Sequence, residues 1–423
     1  MGEERIIPPA PRARHRETVI LDELPPALGI VLWQDVRHLR DWAESTPDAR
    51  ARLFNPNPPV QVVAKRREAI ACAGELAEPL GMLWKLRGTP LTMDPGELGE
   101  ACAAVASWAL ERGHVQTAIE FAEAAALVAP ESASLANLAG RVTRGANEYD
   151  RAEIWFKRAI GYARDQDDKV ELTRAHLGFG TLCKELGRVN GARTHLNSGS
   201  SLARKYGPPS LAAEAQHDLC ALLIVRGRFA EAEKRARRAL RLYPKTHHRL
   251  PFFAADVALL LVLEERFTSA VGVLRGILRV VTQPNPRAVV LALTARALAG
   301  AGRVNEATLY RRRATKLVEK SPGLEGVTRW HLADSHRLVG DWDAAEREAD
   351  AALKIAARQD DHELARLTGN LLELIRNRLA AQPAPAEEGE GRDFLHLLTR
   401  RLSDWVPRRA RSTGGAWGTE WVA

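Results

Sequence analysis

Between about residues 98 and 380, apolar and small residues recur at helical spacing, and the whole pattern repeats. Alanines that follow a short polar turn stand at Ala118, Ala152, Ala192, Ala232, Ala270, Ala307 and Ala345, separated by 34, 40, 40, 38, 37 and 38 residues. Five residues before each stand Gly113, Asn147, Gly187, Gly227, Glu265, Gly302 and Gly340. Twelve before stand Ala106, Gly140, Gly180, Cys220, Ala258, Ala295 and Ala333, all small. Seven after stand Ala125, Ala159, Gly199, Ala239, Ile277, Ala314 and Ala352, small in every case but Ile277. Two antiparallel helices joined tightly need a turn residue that accepts left-handed dihedrals, and glycine or asparagine does so cheaply. Helices that cross closely need small side chains where their backbones meet. The intervening positions are rich in Ala, Leu, Arg and Glu, which favour helix. Pro130 and Pro244 stop second helices in two copies. No strand-like alternation of useful length occurs. The segment 98–380 is therefore expected to be an all-α stack of helical hairpins, closed by an amphipathic helix over 360–380.

The flanks read differently. Residues 1–16 are expected to be disordered. Residues 17–97 hold two apolar-periodic stretches separated by NPNPP (55–59). They are expected to form a helical cap, since a repeat stack needs its first apolar face covered. A divergent eighth repeat and a DNA-binding helix-turn-helix are the alternatives; no compact basic helix with a clear preceding turn supports the latter. Residues 381–392 contain proline, alanine, acid and glycine, as a linker does. Residues 393–423 begin with an amphipathic helix, in which Phe394, Leu398, Leu402 and Trp405 recur at helical spacing. The tail carries Trp417 and Trp421 without periodicity. Docking onto the array, binding of a partner or membrane, and no role are the readings of this end.

Composition narrows function more than fold. Apolar residues make up 45% of the 423, which excludes a wholly disordered chain. Sixty-one Lys and Arg against 53 Asp and Glu leave +8, a mild excess. Nine of those cations, against two acids, lie between Arg226 and Arg249. The four cysteines, Cys72, Cys102, Cys183 and Cys220, show no CxxC spacing and read as free buried thiols in a reducing cytosol. No apolar run is long enough to span a bilayer, and the N-terminus lacks the apolar core of a secretion signal. The GFG at Gly178 and Gly180 falls within a repeat helix and reads as close packing, not a nucleotide loop. His247 and His248 lack further nearby metal ligands. Asp360 and Asp361 stand where a helix begins and serve its dipole. No catalytic, metal or cofactor constellation emerges, so an enzyme is not expected.

The hairpin pattern resembles the tetratricopeptide repeat. Its best copies are RGHVQTAIEFAEAAALVAP (112–130), AGRVTRGANEYDRAEIWFKRAI (139–160) and RGRFAEAEKRARRALRLYP (226–244), and seven copies cover about two thirds of the chain. Most copies exceed the family's usual length by about one helical turn, and the fifth lacks the turn glycine. The resemblance implies a right-handed α-solenoid whose first helices line a concave groove. Carried across residue by residue, groove positions fall at Asn137, Arg141, Arg144, Arg174, Lys184, His217, Phe252, Leu259, Arg296, Trp330 and Arg337. Cations at one end and an apolar floor at Phe252 and Leu259 imply a peptide with an acidic and an apolar end. The family also turns its second helices outward, which would expose a basic patch at Lys234, Arg235, Arg237, Arg238 and Arg241. The expected function is a cytoplasmic scaffold or adaptor for a protein or peptide segment. One alternative is a peptide- or protein-responsive regulator of transcription or defence. Another is a nucleic-acid-associated adaptor that uses the basic face.

Overall fold

The computed structural model describes residues 7–11, 20–55, 57–320, 322–379 and 392–405. Among these residues there are twenty-one α-helices and no strand. Two compact units divide the chain, one ending at Phe179 and the other beginning at Gly180.

The first unit opens with α1 (Ile20–Glu23), α2 (Pro26–Glu44), α3 (Pro47–Arg50), α4 (Val60–Cys72) and α5 (Ala77–Lys85). These precede two hairpins, α6 (Pro95–Arg112) with α7 (Val115–Val128), and α8 (Ala133–Gly145) with α9 (Tyr149–Asp165). The division between units falls inside α10 (Lys169–Glu185). Helices α2 and α5 cover the first hairpin, α2 packing on α7 and α5 on α6. Leu28, Leu32, Val36, Leu39 and Trp42 form the buried stripe of α2. Polar ties fix that contact. Arg40 pairs with Glu120 on α7, and Asp35 takes Arg66 of α4 at 2.9 Å. The N-terminus of α7 has no cap of its own. The Glu23 carboxylate supplies one, accepting the N–H groups of Gln116 and Thr117 at 2.9 and 2.8 Å. An anion there satisfies orphan donors and meets the positive end of the helix dipole. Residues 7–11 fall in the stretch expected to be disordered, yet Ile7 fills the space over Gly161 and the Pro8 carbonyl accepts from Arg158 at 2.7 Å. The rest of 1–16, and most of the expected linker 381–392, lie outside the described residues.

The second unit continues the hairpins. α11 (Val189–Tyr206) pairs with the end of α10. It is followed by α12 (Pro209–Val225) with α13 (Phe229–Leu242), and by α14 (Leu250–Leu263) with α15 (Phe267–Val280). Next come α16 (Pro284–Gly300) with α17 (Val304–Val318), and α18 (Glu325–Arg337) with α19 (Trp342–Arg358). α20 (His362–Arg376) packs on α19, and α21 (Arg392–Ser403) lies against α14 and α15.

The seven predicted turn positions behave alike. Gly113, Asn147, Gly187, Gly227, Glu265, Gly302 and Gly340 all have positive φ, from 61° to 80°. At each, the next N–H reaches back to a carbonyl five residues earlier, as His114 does to Ala109 and Arg228 to Leu223, both at 2.9 Å. That bond closes the helix end and satisfies its last carbonyls. All seven anchor alanines are fully buried. A Cβ on Gly178 would stand 2.4 Å from the Phe156 ring, and one on Gly180 would stand 2.7 Å from Leu196. The GFG is thus a close helix approach. One expectation needs correcting: Cys102, Cys183 and Cys220 are buried, but Cys72 is exposed, at the end of a helix that buries only Arg66 and Ala69.

Two substitutions test this account. Glu265 holds φ 61° with a side chain, a strain of about 1–2 kcal/mol. Glu265→Gly should therefore raise stability by roughly 0.5–1 kcal/mol after the glycine's extra chain entropy, read as a higher denaturation midpoint. Gly178→Ala should cost about 1–3 kcal/mol by overpacking, and a second change, Phe156→Leu, should recover part of that loss.

Candidate functional site

The first helices of the hairpins carry the residues expected to line a groove, and the two units treat them differently. In the first unit, Asn137 is buried and its amide reaches Glu171 at 3.5 Å. Arg174 is exposed but pairs with the same Glu171 along α10. Arg144 is buried, Arg141 is half-buried, and both are engaged within the chain. Arg141, Arg144 and Arg174 therefore do not stand as a row of unpaired cations.

In the second unit α14 and α16 are buried along most of their length. Every residue of α16 from Ala288 to Ala299 is buried, as is every residue of α14 from Leu250 to Val262 except Asp256. Phe252 and Leu259 are therefore core residues, not an open apolar floor. α20 contributes to the closure. Arg366 donates to the Val225 carbonyl at the end of α12 at 2.9 Å, and His362 packs over Gly187 in the turn after α10. Lys184 is buried beside this contact and engaged within the chain.

Three predicted residues do come together. The Arg296 guanidinium lies 4.8 Å from the Trp330 ring centre. Arg296 and Arg337 both pair with Asp334 at 2.5 Å, one on each carboxylate oxygen. His331 completes the group, with its Nδ1 3.4 Å from Arg296. Burial drives the His331 pKa well below its usual value, and the Arg296 charge adds to this, so the ring is neutral. Burial pushes the Asp334 carboxyl up, but Arg296 and Arg337 outweigh it and hold the carboxyl below its usual range. The Trp330 indole N–H is buried and has no hydrogen-bond partner among the described residues.

His217 belongs to a second group, around the segment between α13 and α14. Its ring nitrogens meet the Tyr243 hydroxyl at 3.0 Å and Asp256 at 2.8 Å. Arg249 pairs with Asp218 at 2.7 Å and with Glu214 at 3.4 Å, and His247 also meets Glu214. Burial alone would raise the Glu214 pKa. The His247 hydrogen bond and the charges of Arg249 and both histidines overcome it and hold the pKa at about 2. Spacing offered no signal for His331, Tyr243 or Asp256. Each comes from a turn or helix face outside the assumed groove register.

The outer surface resolves the remaining expectations. Lys234, Arg238 and Arg241 are exposed on α13. Arg235 instead donates to Gln216, and Arg237 pairs with Glu233 and lies over the Phe394 ring. Phe394, Leu398, Leu402 and Trp405 are all buried, so the apolar stripe of α21 docks onto its own unit. Trp417 and Trp421 lie outside the described residues. No described helix is long and apolar enough to cross a membrane.

No family model and no curated protein matches the chain. Solved structures do. PilF of Pseudomonas aeruginosa is 20% identical, with 54% of this chain and 96% of that one covered and a TM-score of 0.39. A tetratricopeptide repeat protein from Parabacteroides merdae is 15% identical, with 66% and 99% covered and a TM-score of 0.38. A Rap protein complexed with Competence and Sporulation Factor is 11% identical, with 84% and 99% covered and a TM-score of 0.36. The fold is of the tetratricopeptide-repeat kind. That assignment rests on the left-handed turns and buried small residues described above.

Asp361 gives the site a measurable pH dependence. Its carboxylate caps α20, accepting from the Leu364 N–H at 2.9 Å. Burial, with Glu185 nearby, pushes its pKa up to about 6, against the pull of that bond and of Lys184. A raised carboxyl holds its proton better folded than unfolded, so its ionisation costs stability as pH rises from about 4 through 6. Asp361→Asn keeps a capping oxygen and removes the charge. The variant should match wild type below about pH 4 and exceed it above pH 6, by up to about 3 kcal/mol. Glu214 has the opposite sign: its contribution is present above pH 4.5 and is lost as pH falls through about 2. Denaturation midpoints of wild type, Asp361→Asn and Glu214→Gln across pH 2–8 check both windows.

Proposed function

We propose that this chain is a protein- or peptide-binding repeat scaffold whose ligand engages the inner helix faces, foremost the Arg296–Trp330–Asp334–Arg337 group. The observation that carries this reading is its unbalanced chemistry. One buried and one half-buried guanidinium share one carboxylate beside an indole N–H that has no partner among the described residues. Buried ion pairs rarely improve stability over well-packed apolar residues. A cluster with one cation to spare and one donor unmet suits a ligand carboxylate and an adjacent carbonyl.

A second reading, a regulator whose array opens when the ligand binds, draws on the α20 closure. That contact includes the bond from Arg366 to Val225, beside a carboxyl that ionises near pH 6. A helix whose capping carboxyl changes charge in this range can have two arrangements whose balance a ligand shifts.

The test replaces the whole group without leaving a lone buried charge. Arg296→Met, Asp334→Leu and Arg337→Met together should leave the melting temperature unchanged or raise it, as apolar replacement of buried ionic groups commonly does. Capture of the partner recovered by wild type from host lysate, identified by mass spectrometry, should fall at least about tenfold, equivalent to about 1.4 kcal/mol. Full capture by a folded triple variant would remove the cluster from the binding site.

A further inference from the structure

The docking of α21 defines a helix-binding groove on the outer surface of the second unit, separate from the inner faces. Its floor lies between α13 and α15. Leu402 sits over Gly276 of α15, where a Cβ would come within 3.2 Å of it, so the glycine makes room for a large side chain. The Phe394 ring lies beneath the Arg237 guanidinium at 5.2 Å. Arg401 donates to the Leu240 and Tyr243 carbonyls at 2.5 and 2.8 Å, satisfying acceptors at the end of α13. The Trp405 indole donates to the His247 carbonyl at 3.1 Å. The groove therefore reads Phe, Leu and Leu at positions 1, 5 and 9 of a helical segment, with Arg at position 8 and Trp at position 12, just past the helix end.

The charge around this groove does not match its occupant. Lys234, Arg237, Arg238 and Arg241 lie within an arc of about 100° around α13, and Arg237 among them meets Phe394 of α21. Arg279 is exposed on α15. Lys234, Arg238, Arg241 and Arg279 have no ion-pair partner among the described residues. The exposed charges of the docked segment are Asp393, Arg400 and Asp404; the Arg400 side chain is 83% exposed and reaches Asp404 at 4.0 Å, and neither carboxylate pairs with the cation row among the described residues. The docked segment thus leaves the positive rim around it unpaired. It is held by its apolar stripe, by two backbone anchors, and by the high local concentration that tethering gives.

We propose that this groove is a docking site for an amphipathic helix of a partner protein. That helix would share the apolar spacing of α21 but carry acidic residues on its flanks, and it would displace α21. The cation row supplies the selectivity, since like charges across an interface oppose binding and opposite charges favour it. The proposal is independent of the inner-face reading, because no residue of the Arg296 group takes part.

The test uses fluorescent peptides and the full chain. One peptide has the sequence of residues 393–405. The other carries His396→Glu, Arg400→Glu and Ser403→Glu, which keep the buried stripe and both anchors. The receiving protein is the full chain with Leu398→Asp, which removes one buried contact of α21 without altering the groove. Wild type is measured in parallel in case the variant is unstable. The acidic peptide should bind the variant about tenfold more tightly than the native-sequence peptide at low salt. The gap should close as ionic strength rises to about 0.5 M, where screening is nearly complete at a few ångströms. Wild type should show the same order with weaker binding, and Arg238→Glu with Arg241→Glu should abolish the preference. Equal affinities, or tighter binding of the native-sequence peptide, would overturn the acidic partner and point to a second copy of this chain. Binding of neither peptide to either protein would overturn the groove itself. A single-stranded RNA of similar length that binds the cation row more tightly than the acidic peptide would reassign the rim to nucleic acid.

Discussion

The left-handed turn is the constraint on which the rest of the array depends. Each turn brings two helices antiparallel at once, and the bond from the following N–H to a carbonyl five residues back fixes where the first helix ends. With that point fixed, the residues seven before it and five after it face each other at closest approach. These are the positions held by alanine, glycine and cysteine, and their burial follows from the turn geometry. Glu265 shows how firm the constraint is. The fifth hairpin keeps the same dihedral with an ordinary side chain, and the apolar burial of α14 and α15 bears the strain.

Once the helices are fixed, side chains on the inner faces have little freedom to reach water. The charges found there are accordingly paired: Arg296 and Arg337 with Asp334, Arg249 with Asp218 and Glu214, His217 with Asp256. Removing one member of such a group leaves a buried charge without compensation, which costs far more than removing the group as a whole. The inner faces are therefore intolerant of single changes, even though several of their residues are polar.

The segment from Tyr243 to Arg249 joins the inner and outer surfaces of the second unit. Its side chains Tyr243, His247 and Arg249 face the acids and His217 of the inner network. Its backbone carbonyls at Tyr243 and His247 receive Arg401 and Trp405 of α21. A shift of this short segment would disturb both sets of bonds together. Any coupling between an inner ligand and the outer groove has this route available, because packed interfaces respond in discrete rearrangements.

The sequence determined the hairpins. Turn residues and small contact positions act locally, over a dozen residues, so the spacing of Gly113, Ala106 and Ala118 and their counterparts sufficed to place helices, turns and close approaches. It also marked the apolar stripe of α21, because amphipathic spacing is visible in any isolated helix. Tertiary structure alone decided where those surfaces went. The residues assigned to an open groove were named correctly as first-helix positions, but α20 and the neighbouring helices enclose many of them. That enclosure depends on contacts such as Arg366 with Val225, about 140 residues apart. The partners of those residues, including His331 and Asp256, and the docking of Trp405 on His247 depend on the same long-range packing. Local spacing carries no record of it, because burial at one position is set by chain segments that are distant in sequence.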